Sequence, residues 1–176
     1  MALAIAHSRG LDGLNAPPVT VEAHLASGLP SFTLVGLPDT EVKEARDRVR
    51  AAIQCAQFEF PSRRITVNLA PADLPKDGGR FDLPIALGIL AASGVVDVQA
   101  LDRFEFLGEL SLTGELRAID SVLPAALAAA RAGRALQCDL DNVFRFRTRH
   151  QHAALDEEFR FIESFFPRQV SQRHAV

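Results

Sequence analysis

The sequence predicts an α/β sandwich, a mixed sheet packed with helices. Three observations predict it: short runs with apolar residues at every second position, longer segments with apolar residues at spacings of three and four, and interleaving of the two along the chain. A length of 176 residues fits one domain, with room for an appendage. With 48% hydrophobic and 23% charged residues the chain can bury a real core.

Residues 2–7 open the chain as a strand. The run is apolar but short and has no basic flank, so it does not read as a signal peptide. Residues 18–26 form the next strand, with Val19, Val21, Ala23 and Leu25 alternating with Thr20, Glu22, His24 and Ala26. Ser27-Gly28-Leu29-Pro30 is a turn, and 32–35 is expected to return as the second arm of a hairpin. Asp39 or Thr40 caps a helix running to about Gln54. Val42, Ala45, Val49, Ala52, Ile53 and Ala56 make its apolar stripe, and Lys43, Arg46, Arg48 and Arg50 are expected on its solvent side.

A strand follows at 65–69, then a Lys-Asp-Gly-Gly loop, then an apolar helix over 82–92. Pro84 is tolerated there because it lies in the first turn. Segments 104–107 and 116–119, flanking Gly108 to Gly114, predict an antiparallel pair. An alanine-rich helix over 122–132 stops at Gly133. Beyond Leu136 the composition changes. Phe144 and Phe146 alternate with arginines like a half-buried strand, 153–166 has the pattern of an amphipathic helix, and 167–176 is expected to be disordered.

Composition also excludes functions. A net charge of −3 speaks against a nucleic-acid binder held by overall charge, while leaving room for a local basic patch. Cys55 and Cys138 have neither CxxC nor metal spacing and are expected as small buried hydrophobes in a reducing compartment. No apolar run approaches membrane-spanning length, so a soluble, cytoplasmic protein without a membrane partner is expected. Lys43 and Lys76 are the two lysines among 19 basic residues; since arginine does not give up its proton, lysine-dependent chemistry has two candidates.

Three segments carry a family resemblance: Val35 to Asp39, Glu59 to Ala86 and Phe106 to Leu116. The middle one, Glu-Phe-Pro-Ser-Arg-Arg-Ile-Thr-Val-Asn-Leu-Ala-Pro-Ala-Asp-Leu-Pro-Lys-Asp-Gly-Gly-Arg-Phe-Asp-Leu-Pro-Ile-Ala, is long and specific. Together they resemble the N-terminal domain of the magnesium-chelatase-like proteins of the ComM or YifB type, over about residues 1–136. The resemblance implies a fold similar to the proteolytic domain of Lon. In full-length relatives it implies a following AAA+ ATPase, using ATP and magnesium, that forms a hexameric ring and acts on branched DNA during natural transformation.

The sequence has no Gly-x-x-x-x-Gly-Lys-Ser/Thr loop, so nucleotide hydrolysis is not assigned to it and no cofactor of its own is expected. Residues 137–176 do not resemble the family's continuation and read as a divergent, partly disordered tail.

The resemblance also defines where a Ser-Lys peptidase site would lie. The nucleophile would stand a few residues after Pro75-Lys76-Asp77-Gly78, where this chain has Gly79, Arg80, Phe81 and Asp82. The base would follow the Gly-Glu-x-x-Leu-x-Gly hairpin by about nine residues, where Ile119 to Leu123 contain no lysine. No catalytic residue is therefore assigned. The reading is a non-catalytic Lon-like module, in contact with DNA, with a second copy, or with a ring-forming ATPase. The alternatives are a Lon-like serine peptidase with an unrecognised dyad, or a nonfunctional truncated remnant.

Asp82, at the first position of a helix, is expected to cap it, worth about 0.5–2 kcal/mol, with a ligand role as the alternative. The loop from Lys76 to Arg80 precedes that helix and could hold an anion such as phosphate, or be a solvated connection. Arg46, Arg50, Arg63 and Arg64 could form a basic surface for DNA backbone, or a solvated helix face shared with Glu44 and Asp47. Glu109 and Glu115 flank a turn and need no catalytic role. His150 and His152 lack a third ligand, and no metal site is expected.

Overall fold

The computed structural model describes residues 2–36 and 38–138. In chain order it contains β1 (Ala2–Arg9), β2 (Pro18–Ala26), β3 (Ser31–Val35), α1 (Thr40–Cys55), β4 (Arg64–Ala70), α2 (Asp82–Ala92), α3 (Val98–Leu101), β5 (Phe104–Phe106), β6 (Glu109–Leu110), β7 (Leu116–Arg117), α4 (Val122–Arg131) and β8 (Ala135–Gln137). A short 3-10 turn, Gly79–Phe81, leads into α2. The readings of Phe144, Phe146, His150 and His152, and of 153–166 and 167–176, lie outside the described residues.

A six-stranded mixed sheet in the order β3-β4-β2-β1-β5-β8 organises the domain. β2 runs antiparallel to both of its neighbours, β1 and β4. The pairs β3–β4, β1–β5 and β5–β8 are parallel. Parallel neighbours need a crossover, and α1 supplies the one between β3 and β4.

The expected hairpin of β2 with β3 is therefore corrected: β3 lies on the far side of β4, with Ser31 N–H donating to the Arg63 carbonyl at 3.3 Å. There Phe32 reaches the core beside Phe60, ring centroids 5.9 Å apart. The expected pairing of 104–107 with 116–119 is corrected as well. β5 belongs to the main sheet, and the antiparallel ribbon is the shorter β6–β7 pair, Glu109 opposite Arg117 and Leu110 opposite Leu116.

The α1 stripe behaves as its spacing dictates: Val42, Ala45, Val49, Ala52 and Ile53 are fully buried. Asp39 caps the helix, its carboxylate accepting the Val42 N–H at 2.7 Å. All residues of α2 are buried, as a helix that is apolar all round must be. It packs on β1, β2 and α1, and the missing side chain at Gly88 lets it approach Ala23 of β2. A smaller cluster, Ala16, Leu107, Val122, Ala125 and Cys138, lies under α4. Gly36, at φ +97°, ends β3 where a Cβ would stand 2.1 Å from the Leu69 carbonyl oxygen.

Candidate functional site

The strand-loop-helix unit formed by β4, residues 71–78 and α2 places the residues singled out in the sequence. Asp82, the first residue of α2, is fully buried. Its carboxylate does not cap the helix. It accepts from Arg48 Nε at 2.6 Å, from Arg48 Nη2 at 3.1 Å and from the Leu110 N–H at 3.1 Å. The bidentate pair ties α1, α2 and the β6–β7 ribbon together. Burial pushes the Asp82 carboxyl up to about 6 against the pull of Arg48, so it is ionised at neutral pH, and the same hydrogen bond raises Arg48. Arg48 thus leaves the solvent side of α1, where helical spacing had put it, because a buried carboxylate demands a partner.

The anion reading of the loop meets a physical obstacle. The Asp82 N–H donates to the Gly79 carbonyl, the Leu83 N–H to the Gly108 carbonyl at 3.0 Å, and Pro84 has no N–H. The amides an anion would need at the start of α2 are spent.

Lys76 and Arg80 are not solvated either. Lys76 is 1% exposed, its amine donates to the Pro71 carbonyl, and burial lowers its pKa. Arg80 is 8% exposed; its Nη2 donates to the Asp120 carbonyl at 3.4 Å, and its buried Nη1 has no hydrogen-bond partner. Burial lowers its pKa while Asp77 and Asp120 oppose the shift. Both cations face inward, and burying cations is costly, which argues for a fixed structural arrangement rather than a mobile phosphate clamp.

The other four basic residues gather elsewhere. α1 begins beside Lys76, where the Asp39 N–H donates to the Lys76 carbonyl at 3.0 Å, and runs about 24 Å to the opposite end of the sheet. Toward that end Arg50 lies over the Phe60 ring, 4.6 Å from its centroid, Arg64 starts β4 and Arg63 immediately precedes it. Arg46 sits one helical turn before Arg50. All four are exposed; Arg50, Arg63 and Arg64 lie toward that end, and Arg46 is near the middle of α1. Lys76 lies beside the start of α1, and Arg80 stands two residues before Asp82, which Arg48 in the middle of α1 holds.

Sequence reasoning did not foresee two features. One is a cleft of about 490 Å³ lined by Leu11, Asp12, Pro38, Asp39, Leu74, Pro75, Lys76 and Asp77. It opens beyond the carboxyl ends of β1, β3 and β4, the place where open α/β sheets form crevices. Its signal was visible in three loops rich in Pro and Asp. The other is a buried pair, Arg9 Nε to Glu105 Oε2 at 2.6 Å, with Arg134 Nη1 at 3.5 Å from the same carboxylate, between the sheet and α4. A charge inside the apolar run Phe104-Glu105-Phe106 was its signal. Cys138 is buried as expected, but Cys55 is exposed, its thiol touching the Leu112 carbonyl at 3.3 Å.

Comparison with known proteins gives this architecture a place. The family model described as subunit ChlI of Mg-chelatase matches residues 21–138, well over half of the chain. The chain belongs to the magnesium-chelatase ChlI-like family.

Among curated relatives of this ChlI-like chain, Competence protein ComM of Haemophilus influenzae is 62% identical over 136 residues, covering 77% of this chain and 27% of ComM. The uncharacterized protein YifB of Salmonella typhimurium is 57% identical over 134 residues, 76% of this chain and 26% of its own length. YifB of Escherichia coli is 54% identical over 142 residues, 81% of this chain and 28% of its own length. The ChlI-like chain thus spans about a quarter of the length of these relatives. No helix among the described residues is long and apolar enough to cross a membrane.

Proposed function

We propose that this chain is a non-catalytic, Lon-like module of a ComM-type magnesium-chelatase-like protein, serving assembly and standing next to DNA during recombination. The observation that carries the reading is the occupant of the place a Ser-Lys peptidase reserves for its nucleophile. Where the resemblance puts that place the chain has Gly79, Arg80, Phe81 and Asp82; Arg80 reaches across to the Asp120 carbonyl, and Asp82 is committed to Arg48. A guanidinium that stays protonated cannot be a nucleophile, and a carboxylate held by an arginine and an amide is a poor one. The amine of Lys76 donates to a backbone carbonyl rather than to a hydroxyl, and Lys43 is exposed on α1.

Support for the DNA half comes from the exposure of Arg46, Arg50, Arg63 and Arg64, and from the competence designation of the relative in Haemophilus influenzae. Arginines on one surface neutralise backbone phosphates without reading sequence. In this reading the ATP- and magnesium-dependent work belongs to a ring-forming ATPase part, with which the module assembles, in the cytoplasm.

Incubation with an unstructured protein such as casein tests the non-catalytic half. No cleavage is expected, with or without a reducing agent. Turnover that disappears on changing a single serine would revive the peptidase and end this reading.

A further inference from the structure

Two buried side-chain nitrogens among the described residues have no hydrogen-bond partner, Arg80 Nη1 and Gln137 Nε2. The first belongs to a cation. Arg80 is 8% exposed and makes no ion pair among the described residues. Its one hydrogen bond, from Nη2 to the Asp120 carbonyl, is 3.4 Å long, beyond the usual range for N–H donors. A buried guanidinium left this way is costly unless an anion meets it.

The place where that guanidinium is held is the start of α4. Asp120 is followed by Ser121, the cap residue, whose backbone is left-handed at φ 57° and whose hydroxyl does not cap the helix. The amides of Val122 and Leu123 have no acceptor among the described residues, and no acidic side chain stands in the first turn. At α1 the same need is met by Asp39, and at α2 by the Gly79 and Gly108 carbonyls. Ser121 and Leu123 are exposed, so the uncapped end is open to solvent.

We propose that the buried Arg80 guanidinium and the free amides at the start of α4 form a binding site for a carboxylate. Arg80 Nη1 donates to one oxygen and the Val122 and Leu123 amides to the other, at the positive end of the helix dipole. A carboxylate suits the place better than a phosphate dianion. The exposed carboxylates of Asp77 and Asp120 act on the same guanidinium, and they repel a double charge more than a single one. Leu123 and Leu127, 47% and 52% exposed and one helical turn apart, offer an apolar ledge for the body of the acid. The acid is a small free one or the end of a polypeptide chain. The site shares no residue with the exposed arginines proposed to meet DNA and goes beyond that reading.

Amide NMR of the whole chain during titration with acetate, at constant ionic strength, tests it. The Val122 and Leu123 resonances are expected to move and saturate. The thermal midpoint is expected to rise with acetate and not with chloride at the same concentration. Two variants remove the site in different ways. Arg80→Gln takes away the cation, and Leu123→Glu, at an exposed position, gives the helix end a carboxylate of its own. Each is expected to weaken acetate at least tenfold. A thermal midpoint of Leu123→Glu no lower than that of the wild type shows that it folds, so the test does not hang on Arg80→Gln alone.

Inorganic phosphate, as its dianion, is expected to bind more weakly than acetate. An acetylated dileucine peptide with a free carboxyl end is compared with its uncharged amide, which is expected not to bind. Tighter binding of the peptide than of acetate identifies a chain end as the source, and equal affinities identify a small acid. Unmoved Val122 and Leu123 amides at about 0.1 M acetate, far above a millimolar dissociation constant, overturn the proposal. So does an acetate affinity unchanged in Leu123→Glu, or phosphate binding tighter than acetate.

Discussion

Asp82 and Arg48 show how a single buried charge organises its surroundings. A carboxylate with no exposure survives in a core only with a partner, and Arg48 reaches in from α1 to provide it. Removing that partner by Arg48→Ala leaves the carboxylate uncompensated and is expected to cost about 3–5 kcal/mol in a urea titration at pH 7. A loss below about 1 kcal/mol would mean that the pair is not holding the ribbon to the helices.

The same residue gives a pH signature. Its folded pKa of about 6 lies above the ordinary 3.8, so the folded state binds the proton more tightly than the unfolded chain. The contribution is fully present below about pH 4 and is lost as pH rises through about 6, amounting to roughly 3 kcal/mol across that window. The difference in unfolding free energy between wild type and Asp82→Asn, followed from pH 4 to 7, is expected to trace this curve. A flat difference contradicts it.

At the level of elements, the periodicities in the sequence located the strands and helices because each buries one face or, for α2, every face. Partners were less legible. The turn at 27–30 has hairpin composition, yet β3 pairs with β4, since pairing is decided by which neighbour lets Phe32 reach the core and by the crossover through α1. Likewise the glycines at 108 and 114 suggested one long hairpin, while β5 is captured by β1 and β8 and leaves a two-residue ribbon.

The site was legible in part for the same reason. The start of α2 lies where the sequence pattern put it, at Asp82, but whether a charged side chain faces water or the interior depends on tertiary neighbours, and Lys76, Arg80 and Arg48 all turned inward. A turn whose geometry permits no side chain is Gly36. Gly36→Ala places a methyl against the Leu69 carbonyl at a positive φ, and is expected to lower the urea midpoint by an amount worth more than about 2 kcal/mol. The same change at Gly94, which has open space around it, is expected to cost less, being limited to backbone strain of about 1–2 kcal/mol. Equal losses at the two glycines would show that packing against Leu69 is not the constraint.

For the molecule as a whole, the proposed function puts structural charges where a peptidase would need reactive groups and places the useful chemistry on the exposed surface. Sequence alone proposed four arginines as a DNA-facing set and two more basic residues with them; the fold leaves the four exposed and buries Lys76 and Arg80. The most direct measurement is the affinity for a forked DNA duplex as a function of salt, for the wild type and for the variant with Arg46, Arg50, Arg63 and Arg64 all changed to Glu. Each phosphate neutralised contributes about −0.9 to the slope of log affinity against log salt, so a slope of about −3 to −4 is expected for the wild type, with binding lost in the variant. Equal affinity and equal slope for the two proteins would contradict the account.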